Sequence, residues 1–447
     1  MQDIDLSKIK NIHFIGIGGI GISAIARMMF HYGKTVTGQD MNEGANIDEL
    51  RKIGLYIITG QSFDFIPIGT ELIVYTIAID TYDPELASRI KKQTKVPVLS
   101  YPQMLEIISR DKYTVAVSGT HGKTTTTAMI AHILSDAKKD PTVIVGSLLI
   151  PPNATVGQAE SNFIAGRSEY LVVEACEYRR SFLNIHPKIV VITNIDNEHL
   201  DYYKDIKDIK SAFRELVTKV PKDGYVVCNP NDENISDVVK DIPAKVVSWQ
   251  DYYVEDLKLR IPGNHNKKNA AAAMALAAIL GVDVDSSKKA LLEFRGTWKR
   301  FEFKGKLKQG TIVYDDYAHH PTEIVATLQG FRELYPKSEG WKLTVVFQPH
   351  LFSRTKLLLN DFAKSFGEGD QVIVLPIYYA REENDGSISS DILATEINKN
   401  TNNAKSIHTF EEAEKYLSSE ISNMGPKDII ITMGAGEASK VGDFLLK

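Results

Sequence analysis

A strand that leads through a glycine-containing loop into a helix is predicted at residues 115–127, where the sequence reads VAVSGTHGKTTTT. Gly119 and Gly122 free the backbone to wrap around phosphate oxygens, and Lys123 supplies a positive charge for the β- and γ-phosphates of a nucleotide. A strand–loop–helix unit of this kind is built into parallel sheets. The feature therefore predicts an α/β fold with a nucleotide-phosphate site.

Hydroxyl groups follow the lysine directly, and Thr124 or Thr125 can place one on Mg²⁺. The full consensus loop has a glycine at position 117, where this chain has Val117, so the loop is a shortened variant. The alternative interpretation is a threonine-rich helix start with an exposed lysine. We expect ATP to be the ligand.

A second glycine loop lies near the N-terminus, at residues 13–26, which read HFIGIGGIGISAIA. Its glycines permit a tight turn and let a diphosphate approach the backbone N–H groups at a helix start. Asp40 follows about twenty residues later, where an acidic side chain can accept a hydrogen bond from a ribose hydroxyl. The pattern predicts a dinucleotide such as NAD or another diphosphate. Such loops also occur where a strand only packs closely on a helix. The glycines concerned are Gly16, Gly18, Gly19 and Gly21.

Candidate metal ligands stand at two further strand ends. Glu174 ends a buried-type strand in LVVEACE, and His199 lies just past another strand in VVITNIDNEHLDYY. Side chains at neighbouring strand ends face the same crevice in an open sheet. Each has an alternative, a surface carboxylate for Glu174 and a capping or core histidine for His199. Beside a phosphate loop, the pattern favours a magnesium site.

The strand and helix pattern restarts twice, near Tyr113 and near Gly296. The alternation of apolar runs with helical stretches predicts mostly parallel sheets. We expect three domains, at residues 1–108, 109–296 and 297–447.

The 447 residues carry 52 basic and 57 acidic side chains, for a net charge of −5. This charge gives no reason to expect a nucleic acid or an anionic membrane as partner. No apolar stretch approaches the ~20 residues that span a bilayer, and the N-terminus does not resemble a secretory signal. We expect a cytoplasmic protein. Cys176 and Cys228 lack metal-ligand spacing, which predicts two buried, reduced thiols.

Nine segments in register resemble the Mur ligases of peptidoglycan synthesis, and together they cover nearly the whole chain. They are GIGGIGISAIA (16–26), GTHGKTTTT (119–127), EACEYRRSFL (174–183), TNIDNEHLDYY (193–203), PGNHNKKNAAAA (262–273), DDYAHHPTEI (315–324), FQPHLFSRT (347–355), YYAREE (378–383) and MGAGE (433–437).

The resemblance implies an N-terminal Rossmann-like domain for a UDP-sugar, a central P-loop ATPase-like mononucleotide-binding domain, and a C-terminal Rossmann-like domain for an amino acid. It implies ATP-dependent formation of an amide between the lactyl carboxylate of UDP-N-acetylmuramate and L-alanine, through an acyl phosphate, with Mg²⁺ or Mn²⁺. Glycine and L-serine remain open as amino acids, because one methyl or hydroxyl group is worth only ~1–3 kcal/mol. The sequence leaves both a monomer and a homodimer open.

The resemblance also implies roles for individual residues. The UDP-sugar site comprises Gly16, Gly18, Gly19, Ile20, Gly21 and Asp40. The ATP site comprises Gly119, Thr120, His121, Gly122, Lys123, Thr124, Thr125, Asn266, Asn269, Arg300 and Asp316. The magnesium ligands are Thr124, Glu174 and His199, and the catalytic residues are Lys123, Glu174, His199 and Arg300. The amino-acid pocket comprises Tyr317, His319, His350 and Arg354. Domain closure would bring the C-terminal residues over the phosphates.

Three positions depart from the family pattern. Tyr101-Pro102 stands where an arginine is usual, Glu198 replaces the aspartate before His199, and Leu351 occupies a position that is often polar. No lysine matches the carbamylated lysine of the later ligases, so we expect no such modification.

Three rival functions remain. The first is a recycling ligase that joins the same UDP-sugar to a tripeptide, but its glycine loop usually carries a cysteine and a bulky residue, unlike GIGGIG here. The second is an NAD-dependent oxidoreductase, a function that does not explain the phosphate loop at Lys123. The third is a non-catalytic UDP-sugar sensor, for which loss of Lys123, Glu174 or His199 would be typical, and all three are present.

Overall fold

The computed structural model describes residues 4–93, 95–149, 161–199, 202–379 and 382–447. Two of the nine segments therefore include residues outside this description, at 200–201 and 380–381. The chain divides into two compact units, Met1–Leu257 with Lys268–Phe294, and Lys258–Lys267 with Arg295–Lys447.

The first sheet of the first unit is fully parallel, in the order β3-β2-β1-β4-β5. The strand order reverses at β1, and the N-terminal glycine loop follows this strand. A loop at such a reversal lies where open α/β sheets bind their ligands. The strands are β1 (Asn11–Ile15), β2 (Thr35–Asp40), β3 (Tyr56–Thr59), β4 (Leu72–Tyr75) and β5 (Val98–Ser100), and the helices are α1 (Ile20–His31), α2 (Ala45–Lys52), α3 (Ile79–Tyr82), α4 (Pro84–Lys92) and α5 (Tyr101–Arg110).

The second sheet of this unit has the order β12-β11-β10-β6-β9-β7-β8 and is parallel except for the pair β7–β8. Its strands are β6 (Tyr113–Ser118), β7 (Thr142–Leu149), β8 (Ser161–Ile164), β9 (Tyr170–Glu174), β10 (Ile189–Ile192), β11 (Tyr225–Cys228) and β12 (Lys245–Ser248). Its helices are α6 (Lys123–Asp136), α7 (Ile206–Thr218), α8 (Ser236–Val239), α9 (Asn264–Ile279) and α10 (Val284–Glu293), and the first four residues of α9 belong to the second unit. The phosphate loop follows the inner strand β6.

The second unit contains one sheet, in the order β13-β14-β18-β15-β16-β17, parallel except for β13–β14. Its strands are β13 (Glu302–Lys306), β14 (Ile312–Asp316), β15 (Lys342–Phe347), β16 (Gln371–Val374), β17 (Ala404–Ser406) and β18 (Asp428–Met433). Its helices are α11 (Pro321–Leu334), α12 (Phe352–Leu357), α13 (Leu359–Lys364), α14 (Ser390–Asn398), α15 (Phe410–Glu420) and α16 (Ser439–Leu445).

Helices cover both faces of the third sheet, as its core residues show. In β18, Ile429 and Ile431 pack in one hydrophobic cluster, whereas Ile430 packs in another. Alternate residues of a strand point to opposite faces, so both faces are buried. This burial explains the continuous apolar run of the strand. The predicted three-part α/β fold is confirmed.

Three details bear on the expectations from the sequence: the order of the strands near Glu174, the exposure of the two cysteines, and the length of the helices. Glu174 does end a strand, but β9 and β10 are not neighbours, because β6 lies between them. Cys228 is buried, whereas Cys176 is exposed, since the chain after β9 turns Cys176 outward and the next residue inward. Within the described residues, no helix is long and apolar enough to span a membrane.

Candidate functional site

The phosphate loop has a backbone that requires both of its predicted glycines. Gly119 has a φ of +137° and Gly122 a φ of +80°, the latter in the left-handed region just before α6. A Cβ atom on Gly119 would lie 2.0 Å from Thr193 Oγ1, and one on Gly122 would lie 2.5 Å from Asn269 Oδ1. Side chains at either position would therefore deform the loop.

The segment after β10 fixes the other side of this loop. The His121 N–H donates to Asn194 Oδ1 at 2.9 Å, and Asn194 Nδ2 donates to the His121 carbonyl oxygen at 2.9 Å. Thr120 N–H donates to the Asn194 carbonyl at 3.0 Å, and Thr120 Oγ1 accepts from Asp196 N–H at 2.8 Å. These bonds hold the loop in one conformation.

Lys123 is directed into the loop and is paired with a buried carboxylate. Its Nζ donates to the carbonyl oxygens of Gly119 at 2.6 Å and Thr120 at 3.0 Å, and to Glu177 Oε1 at 3.0 Å. Burial by itself lowers the pKa of Lys123, but Glu177 and the other nearby acidic groups raise it above its ordinary value. The lysine is therefore a fixed positive charge at the start of α6.

Thr124 and Glu174 form the part of the predicted metal site that the structure brings into contact. Thr124 Oγ1 donates to both carboxylate oxygens of Glu174, at 2.9 and 3.0 Å, and Gly146 N–H donates to Glu174 Oε2 at 2.7 Å. A hydroxyl and a carboxylate are hard oxygen ligands of the kind that Mg²⁺ prefers, with its other positions left for water and phosphate oxygens. The donor set fits magnesium held jointly with a nucleotide. The described part of the chain contains no group of three or more His, Cys, Asp or Glu residues that could bind a metal ion by itself.

His199 lies against Glu177 and Tyr178. Its Nε2 is 3.5 Å from Glu177 Oε1, and its ring centroid is 4.8 Å from that of Tyr178. His199 has a φ of +55°, a conformation that costs a non-glycine residue energy and is typical of functional sites. Burial by itself raises the pKa of Glu177, but Lys123 and His199 hold it below its ordinary value. His199 as a magnesium ligand stays a prediction.

The N-terminal glycine loop turns sharply after β1. Gly16 has a φ of +74°, and a Cβ there would lie 2.3 Å from Thr76 Cγ2. Asp40 ends β2, and its Oδ2 accepts a hydrogen bond from Gly18 N–H at 2.7 Å. The carboxylate of Asp40 therefore shapes the loop itself. A Cβ on Gly21 would lie 2.7 Å from the hydroxyl of Tyr101, so the residue that departs from the family pattern packs on this loop.

Ser23 connects the same loop to the second sheet. Its Oγ donates to the carbonyl of Ile20 at 2.9 Å and accepts from Asn46 Nδ2 at 2.8 Å and from Asn162 Nδ2 at 2.7 Å. Asn162 is fully buried and belongs to β8. The two glycine loops are thus parts of one compact unit.

The remaining ATP-site candidates divide between the units. Asn269 contacts Gly122 in the first unit, as described above. In the second unit, Asn266 Nδ2 donates to the carbonyl of Pro262 at 2.7 Å. Asp316 is 2% exposed and accepts hydrogen bonds from Phe301 N–H and Ala318 N–H, both at 2.9 Å. Burial raises the pKa of Asp316, although Arg300 acts against this rise.

The four predicted amino-acid-pocket residues form one cluster in the second unit. The His319 ring lies 5.2 Å from that of Tyr317 and 5.9 Å from that of His350, between centroids. Arg354 Nη1 lies 3.4 Å from His350 Nδ1. The guanidinium of Arg300 lies 5.3 Å from the centroid of the Tyr317 ring, which extends the cluster towards Asp316.

Sequence reasoning missed several residues that the structure adds to these sites. Glu177 and Asn194 belong to the phosphate loop's surroundings, and Glu323 and Tyr378 to the pocket cluster. Glu323 Oε2 is 3.4 Å from His319 Nδ1, and the Tyr378 ring stacks on that of His350 at 5.5 Å. All four lie inside the quoted segments, but only their contacts single them out from their neighbours.

Comparison with known proteins matches all three parts of the chain to one family. Residues 11–113 match the Mur ligase family catalytic domain, residues 117–250 the Mur ligase middle domain, and residues 299–436 the Mur ligase glutamate ligase domain. A UDP-N-acetylmuramate–L-alanine ligase from Agathobacter rectalis is 41% identical, with 100% of each chain covered. The chain belongs to the Mur ligase family.

Solved structures agree with the assignment of this chain to the Mur ligase family. The UDP-N-acetylmuramate–alanine ligase of Thermotoga maritima superposes with a TM-score of 0.78 at 29% identity, covering 97% of this chain and 98% of that one. A murein peptide ligase from Psychrobacter arcticus shares the fold, with a TM-score of 0.70 at 22% identity and 98% of both chains covered.

Proposed function

We propose that this Mur ligase joins L-alanine to the lactyl carboxylate of UDP-N-acetylmuramate, with conversion of ATP to ADP and phosphate. The observation that carries the proposal is the full-length similarity to ligases of that name, at 41% identity in Agathobacter rectalis. The position of Lys123 in the phosphate loop and the pairing of Thr124 with Glu174 support it. The product is UDP-N-acetylmuramoyl-L-alanine, a precursor of peptidoglycan.

The chemistry explains why ATP is consumed. A carboxylate is a poor acyl donor, so one of its oxygens first attacks the γ-phosphorus of ATP, which gives an acyl phosphate and releases ADP. The neutral amine of L-alanine then attacks the carbonyl carbon. The tetrahedral intermediate expels phosphate, and the nitrogen loses a proton. Such a reaction depends mainly on positioning and on neutralisation of charge, and a nucleophile supplied by the protein is not needed.

Residues of the first unit act on the phosphates. Lys123 binds the β- and γ-phosphates and stabilises the charge that develops as the γ-phosphate is transferred. The N–H groups at the start of α6 face the same anion, and the helix dipole favours it there. Thr124 and Glu174, with His199 as a predicted third ligand, would hold Mg²⁺ or Mn²⁺, which neutralises phosphate charge when bound. Asn269 orients the adenine.

Residues of the second unit bind the amino acid. Arg354 pairs its guanidinium with the carboxylate of L-alanine through two parallel N–H···O hydrogen bonds. Tyr317, His319 and His350 surround the small side chain, while Arg300 and Asp316 contribute to the nucleotide site. The UDP-sugar binds at the N-terminal loop, where Gly18 and Gly19 let the diphosphate approach the backbone.

Phosphate release from ATP tests the proposal. We expect release only with UDP-N-acetylmuramate present, and the fastest release with L-alanine among L-alanine, glycine, L-serine and the tripeptide. Release with the tripeptide alone would instead identify the recycling ligase. No release with any acceptor would favour the UDP-sugar sensor, and reduction of NAD by hydride from the UDP-sugar would favour the oxidoreductase.

A further inference from the structure

Glu177 is a buried charge at the phosphate loop for which the reaction above provides no task. Its side chain is 2% exposed, and its Oε1 accepts a hydrogen bond from Lys123 Nζ at 3.0 Å. Its Oε2 is buried and has no hydrogen-bond partner among the residues that the structure describes. A buried oxygen without a partner costs free energy, so its presence calls for a functional explanation.

All three N–H groups of the Lys123 ammonium are already used in hydrogen bonds. An ammonium carries three donors, and its contacts are the carbonyl oxygens of Gly119 and Thr120 and the carboxylate of Glu177. A phosphate oxygen can therefore bind Lys123 only if it displaces one of these acceptors or shares a donor with it. Glu177 is the anionic acceptor of the three, and a phosphate oxygen resembles it most closely in charge.

We infer that Glu177 competes with the phosphates of the nucleotide for Lys123, and so limits how tightly and how long the loop holds a nucleotide. The inference rests on the proposed function, because it requires Lys123 to bind ATP. When phosphate reaches the ammonium, the buried carboxylate stays close, and two anions share one cation. The ammonium divides its attraction between them, which weakens nucleotide binding and speeds the release of ADP.

The sign of the effect distinguishes this competition from a structural role. Glu177→Gln keeps the shape of the side chain and removes its charge. We expect this variant to bind ADP with Mg²⁺ on the order of tenfold more tightly, and to release it more slowly. The KM for ATP should fall together with kcat, because the slower release of ADP limits turnover. If Glu177 only oriented Lys123, the same change would weaken ADP binding.

Two further variants make the comparison specific. Glu177→Asp keeps the charge but withdraws it by one methylene, so its ADP affinity should lie between those of the wild type and Glu177→Gln. Glu106→Gln is the matched control, because Glu106 also pairs with one cation and one imidazole, Arg110 at 2.8 Å and His186 at 3.7 Å. It lies in α5 of the same unit, and its loss should leave ADP affinity unchanged.

A double-mutant cycle tests whether the effect passes through Lys123. Lys123→Met removes the cation for which Glu177 and phosphate compete. In that background, Glu177→Gln should tighten ADP binding by a smaller factor than in the wild type. An equal factor in both backgrounds would show that direct repulsion alone acts, and would overturn the competition.

The measurement is titration calorimetry of the full chain with ADP and Mg²⁺, alongside ligase kinetics and thermal denaturation. Tighter ADP binding by folded Glu177→Gln and Glu177→Asp supports the inference. If these variants bind ADP no more tightly than the wild type, and the wild type ligates L-alanine, the inference is overturned and the proposed function stands. A wild-type chain that binds no ADP overturns the proposed function and the inference with it.

Discussion

Gly122→Ala tests the geometry of the phosphate loop directly. At the φ of +80° found for Gly122, an alanine pays ~1–2 kcal/mol for its backbone conformation. The new Cβ would also lie 2.5 Å from Asn269 Oδ1, and Asn269 is only 7% exposed, so it has little room to move. Displacing a packed side chain adds ~1–3 kcal/mol. We therefore expect the substitution to destabilise the first unit by about 2–5 kcal/mol in total.

Gly33→Ala is the matched control for the backbone contribution. Gly33 belongs to the same unit and has a φ of +77°, but a Cβ there has no neighbour within 4 Å. It should therefore cost only the backbone part, ~1–2 kcal/mol. Calorimetric thermal denaturation should show a clearly larger loss for Gly122→Ala. ADP binding should weaken at least ~10-fold in Gly122→Ala, since 1.4 kcal/mol corresponds to a factor of ten, and should not change in Gly33→Ala.

Equal losses of stability in the two variants would refute the contact between Gly122 and Asn269. A second comparison checks the same point, because Asn269→Ala removes the clashing oxygen. Combined with Gly122→Ala, it should restore part of the lost stability. Additive losses would contradict the steric reasoning.

Three further predictions concern Lys123, Arg354 and the buried His13 of β1. Lys123→Ala should reduce phosphate release at least ~100-fold and leave UDP-N-acetylmuramate binding intact, so retained ligase activity would count against the phosphate-loop assignment. Arg354→Lys keeps the charge but loses the planar pair of donors, which should raise the KM for L-alanine ~10-fold without changing ADP affinity in calorimetry. Burial lowers the pKa of His13 from 6.5 to about 4. Between these values the unfolded chain binds a proton that the folded chain does not, so the free energy of unfolding should fall by up to about 3 kcal/mol on acidification. In denaturant unfolding, His13→Gln should reduce the difference in stability between pH 7.5 and pH 4.5 by the contribution of His13, up to about 3 kcal/mol.

Local features of the fold were predictable because local residues determine them. The phosphate loop carries its own signal, since glycines at positions 119 and 122 and the following lysine specify a strand, a turn and a helix start. The helix that the sequence predicts after the loop begins at Lys123 and ends at Asp136. The strand at Glu174 ends where the sequence indicated.

Contacts between distant segments were not predictable in the same way. The position of β6 between β9 and β10 depends on how the whole sheet assembles, so the strand that Glu174 ends is not adjacent to the strand that precedes His199. The pairing of Glu177 with Lys123 joins residues 54 positions apart. The segment EACEYRR contains two glutamates that the sequence does not distinguish. Only the fold shows that Glu174 pairs with Thr124 and Glu177 with Lys123.

Transfer of oxygen from the sugar to phosphate tests the central claim most directly. UDP-N-acetylmuramate labelled with ¹⁸O in its lactyl carboxylate is incubated with ATP, Mg²⁺, L-alanine and the chain, and the released phosphate is analysed by mass spectrometry. Because the acyl phosphate breaks at its carbonyl carbon, one labelled oxygen should appear in each phosphate, in step with formation of UDP-N-acetylmuramoyl-L-alanine. Unlabelled phosphate released together with the amide product would contradict the acyl-phosphate mechanism, and phosphate released without that product would contradict the ligase assignment.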